Sequence, residues 1–116
     1  MRLNQINNLS ELLQALQTET TPMFINLCSR CGNDNFLTDQ IVSNLQKEYG
    51  EKLGYQKLPS AASEVIKQEL HISKNPVLLL IKDGEIKALF GGIIAQYRLE
   101  MALYDLRAES PNSTVN

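Results

Sequence analysis

Two short apolar runs dominate the pattern of apolar and polar positions along the chain. The first covers residues 23–27 and the second covers residues 77–81, and each is preceded by a proline. A continuous apolar run of this length, bounded by turn-forming residues, is typical of a strand that is covered on both faces. We therefore predict a buried strand at each of these positions.

Four segments carry apolar residues at helical spacing, which predicts four helices. The first begins at Ser10, a predicted N-cap, and runs to about Gln17. The second runs to Tyr49 and stops at Gly50, a natural helix end, and the third lies within residues 60–70. The fourth carries an apolar stripe that we interpret as facing the core: Ile94, Tyr97, Met101 and Tyr104.

Three weaker strand signals complete the pattern. Residues 2–6 alternate weakly, residues 54–58 are ended by Pro59, and residues 86–90 follow Asp83-Gly84, a pair suited to a two-residue hairpin turn. Strands and helices alternate in the first half of the chain, which favours parallel pairing, and the hairpin adds antiparallel strands. The pattern predicts an α/β fold with a mixed five-stranded sheet and helices on both faces.

The composition is that of a single globular domain. The chain has 116 residues, and we place the domain at residues 1–107, followed by a polar, disordered tail at residues 108–116. Eleven basic and thirteen acidic residues give a net charge of −2 without clustering, so we expect neither nucleic acid nor a membrane as a partner. The N-terminus lacks the apolar run of a signal peptide, and we expect a cytoplasmic monomer.

The strongest chemical signal is a pair of cysteines, Cys28 and Cys31, where the first apolar strand gives way to a helix. A helix start favours negative charge, and the thiolate is the reactive form of cysteine. Cys28 is nearer to the helix start and is the candidate nucleophile, with Cys31 as the resolving thiol. Arg30 is either a cation that stabilises the Cys28 thiolate or a solvated surface arginine.

Two other interpretations of the cysteine pair remain open. Zinc normally needs four ligands, and only His71 is available beyond the two cysteines. His71 itself also fits a plain helix C-terminus. Alternatively, the two cysteines are inert thiols in the core. The position at a helix start favours a redox-active dithiol, so we expect no metal.

The chain resembles the thioredoxin family over about residues 2–106. That family has a Cys-x-x-Cys pair after a buried strand, a cis-proline that opens the next-to-last strand, a tight hairpin, and a glycine before the last helix. The matching positions read Cys28-Ser29-Arg30-Cys31, Asn75-Pro76, Asp83-Gly84, and Gly91 or Gly92. The resemblance implies a three-layer α/β/α sandwich with strand order 1-3-2-4-5 and four flanking helices.

The resemblance also implies a function, which is the exchange of protein disulfides by a thiol–disulfide oxidoreductase. A redox-active disulfide between Cys28 and Cys31 would serve without a separate cofactor, and a reductase or a small thiol would supply electrons. A groove that holds the extended substrate backbone would be formed by Asn75, Pro76, Gly91 and Gly92. The residues that tune the dithiol would be Ser29, Arg30 and Lys57.

The chain departs from the family's pattern in three places. The family's tryptophan and its Gly-Pro dipeptide are absent, since the motif reads Leu27-Cys28-Ser29-Arg30-Cys31. The buried acid that the family carries six residues before the first cysteine is Pro22 here, which would leave Lys57 without its acid. Residues 32–35 have low helix propensity, so we expect the regular helix to restart near Asn35.

These departures have two consequences for the expected chemistry. Cys31 must attack the mixed disulfide on Cys28 to release the substrate. Without the acid this attack should be slow, and the mixed disulfide should be long-lived. They also keep a second function open, which is an interaction module of the same fold with little or no steady redox turnover.

Overall fold

The computed structural model describes residues 5–28 and 33–108, except for the side chains of residues 33–35 and 51. These residues form four strands, four α-helices and a short 3-10 turn at Gly50–Lys52. The helices are α1 (Leu9–Ala15), α2 (Asn33–Tyr49), α3 (Ser60–Glu69) and α4 (Gln96–Ala108). The strands are β1 (Met23–Leu27), β2 (Gly54–Lys57), β3 (Val77–Lys82) and β4 (Glu85–Gly91).

The two apolar runs lie side by side at the centre of one mixed sheet. The strand order is β2-β1-β3-β4, in which β1 and β2 are parallel and the other neighbouring pairs are antiparallel. The two runs pair over their whole length, from Met23 opposite Ile81 to Leu27 opposite Val77. Helices cover both faces of these strands, which explains why both runs are apolar except at Asn26.

The prediction of five strands is wrong for the described part of the chain, where the sheet has four. The missing strand is the one expected at residues 2–6. Gln5 and Ile6 are not in a strand, and residues 1–4 lie outside the described residues. Ile6 is buried against the helices of one face, so its apolar character reflects core packing rather than strand pairing.

The core has two layers, one on each face of the sheet. Side chains alternate along β1, so that Met23, Ile25 and Leu27 join a cluster with α1 and α3. Phe24 faces the other way and joins a cluster with α2 and α4. The resulting architecture has helices on both faces of a mixed sheet, as the sequence pattern predicts, and is the three-layer α/β/α sandwich that the resemblance implies.

The tight turns follow the local sequence. Asp83 and Gly84 form the two-residue hairpin between β3 and β4, and both have a positive φ, at 56° and 77°. Both φ values belong to the turn type that matches the twist of the flanking strands. Gly50 also has a positive φ and ends α2 where the sequence predicts it.

Two helix starts differ from the prediction. The N-cap of α1 is Asn8 rather than Ser10, because the Asn8 side chain accepts a hydrogen bond from the backbone N–H of Glu11. The regular helix α2 begins at Asn33, two residues before the expected restart at Asn35. Residues 29–32 and the predicted tail beyond residue 108 lie outside the described residues.

Most of the apolar stripe predicted to face the core is instead exposed, although Ile94, which precedes α4, packs against the core. Tyr97, Met101 and Tyr104 are 61%, 60% and 68% exposed. The face that packs on the sheet carries Leu99, Leu103 and Leu106, which are buried. Both stripes have helical spacing, and the leucine stripe is the one that lies against the sheet. No helix in the described part of the chain is long and apolar enough to cross a membrane.

Candidate functional site

The strand register brings Cys28 and Pro76 together at one end of the sheet. Leu27 and Val77 are paired residues at the ends of β1 and β3. Cys28 directly follows Leu27, and Pro76 directly precedes Val77, so both lie one residue beyond the same antiparallel pair. Two segments separated by nearly fifty positions in the sequence therefore meet here.

The glycines before α4 lie next to Pro76 at the same end of the sheet, on the neighbouring strand β4. Gly91 pairs with Val77, and the Gly92 N–H donates a hydrogen bond of 2.8 Å to the Pro76 carbonyl oxygen. A side chain at Gly91 would meet Lys74, since a Cβ built there lies 3.3 Å from the Lys74 Cδ. Pro76, Gly91 and Gly92 are thus packed side by side, as the resemblance implies.

The Asn75–Pro76 peptide bond is cis, which is the form that the resemblance implies. Pro76 is buried, whereas Asn75 is exposed just before the start of the central strand β3. The Asn75 side-chain oxygen accepts a hydrogen bond from the Nζ of Lys67. Lys67 lies on α3 and is only 4% exposed, so a buried lysine holds the residue before the cis-proline.

Cys28 is partly buried and is disulfide-bonded. The sequence contains one other cysteine, Cys31, which lies outside the described residues together with Ser29 and Arg30. The predicted roles of Cys31, Ser29 and Arg30 therefore stay predictions.

The expectation that Lys57 has no acidic partner is wrong. The Lys57 Nζ lies 2.8 Å from the Oδ2 of Asp39, a residue in the second turn of α2. Pro22 lies at the opposite end of β1 from Cys28, because the five-residue strand runs directly into the cysteine. The residue in register with Lys57 is Asn26, two positions before Cys28.

Asn26 begins a chain of polar contacts that ends at this ion pair. It is fully buried in β1, and its Nδ2 donates a hydrogen bond of 2.8 Å to the Tyr55 hydroxyl. The Tyr55 hydroxyl in turn donates to the Oδ1 of Asp39, whose Oδ2 accepts from Lys57. Because side chains alternate along an extended chain, Asn26 lies on the same face as Cys28. The polar network therefore joins β1, β2 and α2 beside the cysteine.

The Tyr55 hydroxyl titrates abnormally because of this packing. Burial raises the pKa of Tyr55 above its usual value, and the hydrogen bond to Asp39 raises it further. The hydroxyl therefore stays protonated in the folded protein at pH values where the unfolded chain ionises. Its contribution to stability is complete below about pH 10 and is lost as the pH rises above that value.

Tyr55→Phe should therefore flatten the alkaline loss of stability. We expect the free energy of unfolding to fall less between about pH 8 and pH 10.5 in this variant than in the wild type. Urea denaturation at the two pH values measures this difference. Tyr104→Phe is the matched control, because Tyr104 is exposed and should leave the wild-type slope unchanged. Equal slopes in all three proteins would contradict the prediction.

The expectation of no metal stays a prediction, because the candidate ligand Cys31 lies outside the described part of the chain. No group of three or more His, Cys, Asp and Glu side chains is placed there to hold an ion. His71 is exposed just after α3 and has a positive φ, which fits a residue at a helix end.

Four residues of the site were missed in the sequence: Asn26, Asp39, Tyr55 and Lys67. Asn26 did leave a signal, since it is the one polar residue within the first apolar run. A polar side chain in a fully buried strand needs hydrogen-bond partners, and that requirement points to a network. Asp39 and Lys67 left no such signal, because each lies on a helix among other charged residues.

The comparisons with known proteins agree with this architecture. No family model matches the sequence, and no curated protein sequence matches it. Mitochondrial thioredoxin 3 of Saccharomyces cerevisiae, in its oxidised form, superposes with a TM-score of 0.66 at 20% identity, over 88% of this chain and 93% of that one. A cysteine-to-serine mutant of an Entamoeba histolytica thioredoxin gives 0.60 at 22% identity, over 86% and 95%.

A malarial protein gives a TM-score of 0.62 at 15% identity, over 74% of this chain and 97% of that one. Likenesses at these identities establish the fold and nothing more specific. The described residues adopt a thioredoxin-like fold.

Proposed function

We propose that this protein is a thiol–disulfide oxidoreductase that exchanges protein disulfides through Cys28 and Cys31. The observation that carries the proposal is the disulfide at Cys28, one residue beyond β1 and beside the cis Asn75–Pro76 bond. A reactive cysteine needs access to its substrate and a neighbouring thiol, and Cys28 is only partly buried.

The exchange proceeds by two attacks at sulfur. The Cys28 thiolate attacks one sulfur of the substrate disulfide, so that a mixed disulfide forms and the other substrate sulfur leaves as a thiolate. The Cys31 thiolate then attacks Cys28, which releases the second substrate sulfur and forms the Cys28–Cys31 disulfide. The substrate gains two electrons and the protein loses two. A reductase or a small thiol of a reducing compartment such as the cytoplasm returns them.

The surrounding residues serve the substrate and the thiols separately. Asn75, Pro76, Gly91 and Gly92 form the edge along which an extended substrate backbone lies beside Cys28. The support for this role is their close packing, with Lys67 behind Asn75 and no side chain at the two glycines. Lys57 tunes the dithiol together with Asp39, and Ser29 and Arg30 act from between the cysteines.

Turnover of an insulin-type disulfide with dithiothreitol tests the proposal. The wild type should accelerate reduction above the rate with dithiothreitol alone, because Cys28 supplies a thiolate held beside a substrate edge. Cys28→Ser should return the rate to that background. A wild type that is no faster than Cys28→Ser would overturn the proposal and favour an interaction module of the same fold.

A further inference from the structure

The outer face of α4 carries large apolar side chains that the fold leaves uncovered. We use the term outer face for Tyr97, Met101, Tyr104 and Ala108, all of which are exposed. They lie about half a turn around the helix from the buried Leu99 and Leu103. Its three large side chains line, together with Tyr49, a shallow groove of about 550 Å³. An exposed cluster of this kind marks an interaction site more often than isolated apolar residues do.

The spacing on the outer face is that of a helix-pairing seam. Its four positions are separated by four, three and four residues, which is the alternation that aligns one helix with another. Charged residues flank the seam in a regular way. Glu100 and Arg107 lie along one side, and Arg98 and Asp105 lie along the other.

These charges are arranged for antiparallel pairing of α4 with itself. In that arrangement Tyr104 packs against Met101 of a second copy. Each charged flank lies beside the same flank of the second copy, which runs in the opposite direction. Glu100 then faces Arg107 of the second copy, and Arg98 faces Asp105. The two-fold symmetry repeats both contacts, so that all four flanking pairs have opposite charges.

A parallel arrangement of the two helices lacks this complementarity. It would place Glu100 of one copy near Asp105 of the other, because parallel pairs join the two different flanks. Like charges at these positions oppose association. The charge pattern therefore selects one occupant and one direction.

We propose that the outer face of α4 binds a second copy of this chain, as an antiparallel helix pair centred between Met101 and Tyr104. The proposal is independent of the redox function. It replaces two separate expectations, that of a monomer and that of a core position for Tyr97, Met101 and Tyr104. One short helix from each copy makes a small interface, so we expect a reversible dimer with a Kd on the order of 10–100 µM.

Charge-reversal variants at one flank test the proposal by sedimentation velocity. The wild type, in dithiothreitol to prevent disulfide links, should shift from monomer to dimer as its concentration rises to about 1 mM. Glu100→Arg and Arg107→Glu should each weaken self-association at least ~10-fold, because each places like charges together twice. An equimolar mixture of the two variants should regain the wild-type association, since every flanking pair is again opposite in charge.

The second flank provides an independent check of the same geometry. Arg98→Asp and Asp105→Arg should likewise each weaken self-association at least ~10-fold alone and should regain the wild-type association when mixed. These two variants also leave Arg107 unchanged, so they keep the contact between its guanidinium and the Tyr49 ring, whose centroid lies 4.6 Å away. Unchanged thermal midpoints would verify that the variants are folded.

Three results would overturn the proposal. A wild type that stays monomeric at about 1 mM would mean that the outer face does not bind a second copy. Variants that dimerise alone as well as the wild type would place the contact elsewhere. Mixtures that stay monomeric, while the wild type dimerises, would exclude the antiparallel alignment.

Discussion

Asp39→Asn is expected to lengthen the lifetime of a mixed disulfide on Cys28 by about 10²-fold, the lower end of the usual contribution of a general base. The expectation rests on the proposed function. Release of the substrate needs a deprotonated Cys31 thiol. Asp39 is the carboxylate that is hydrogen-bonded through Tyr55 to the buried Asn26, two positions before Cys28. The variant keeps the shape of the side chain but removes the charge that can accept a proton.

The effect on stability should be small by comparison. The ion pair between Lys57 and Asp39 is partly exposed, and pairs of this kind contribute about 0–1 kcal/mol. A large kinetic effect with little change in the free energy of unfolding would therefore separate a role in proton transfer from a structural one.

The measurement mixes oxidised substrate with reduced protein, quenches samples with acid, and follows the adduct by mass. Glu48→Gln is the matched control, because it makes the same chemical change at an exposed position of the same helix. If the wild-type adduct already clears slowly and Asp39→Asn changes nothing, Asp39 is not the proton acceptor. The slow release expected from Pro22 would then stand.

Phe24→Ala should lower the free energy of unfolding by about 3–5 kcal/mol. Phe24 is 0% exposed in the central strand β1, between α2 and α4. Truncating it removes apolar contacts and leaves a cavity that a close-packed core closes only in part. A domain of this size is stable by only about 5–15 kcal/mol, so this variant approaches the limit of folding.

Phe36→Ala is the matched control for this prediction. It makes the same change in α2, but Phe36 is 65% exposed, so we expect an effect of about 0.5 kcal/mol or less. Urea denaturation of the three proteins gives both differences. Similar losses in the two variants would show that the sheet centre does not dominate the stability of the fold.

Most of the local structure could be predicted from the sequence. The apolar runs marked β1 and β3, Asp83-Gly84 marked the hairpin, and Gly50 marked the end of α2. Each of these features depends on residues within a few positions, such as a glycine that accepts a positive φ. The resemblance to the thioredoxin family also pointed to Cys28, Pro76, and Gly91 or Gly92, and the strand register places these residues next to one another.

Only the tertiary structure decided the contacts between elements. On α4, two stripes had helical spacing, and packing against the sheet buried Leu99, Leu103 and Leu106 while exposing Tyr97. Counting residues back from Cys28 pointed to Pro22, whereas the pairing of β1 with β2 set Asn26 in register with Lys57. Asp39 pairs with Lys57, which lies 18 positions further along the sequence. Register and helix facing follow from burial summed over the whole core, which no local window of sequence contains.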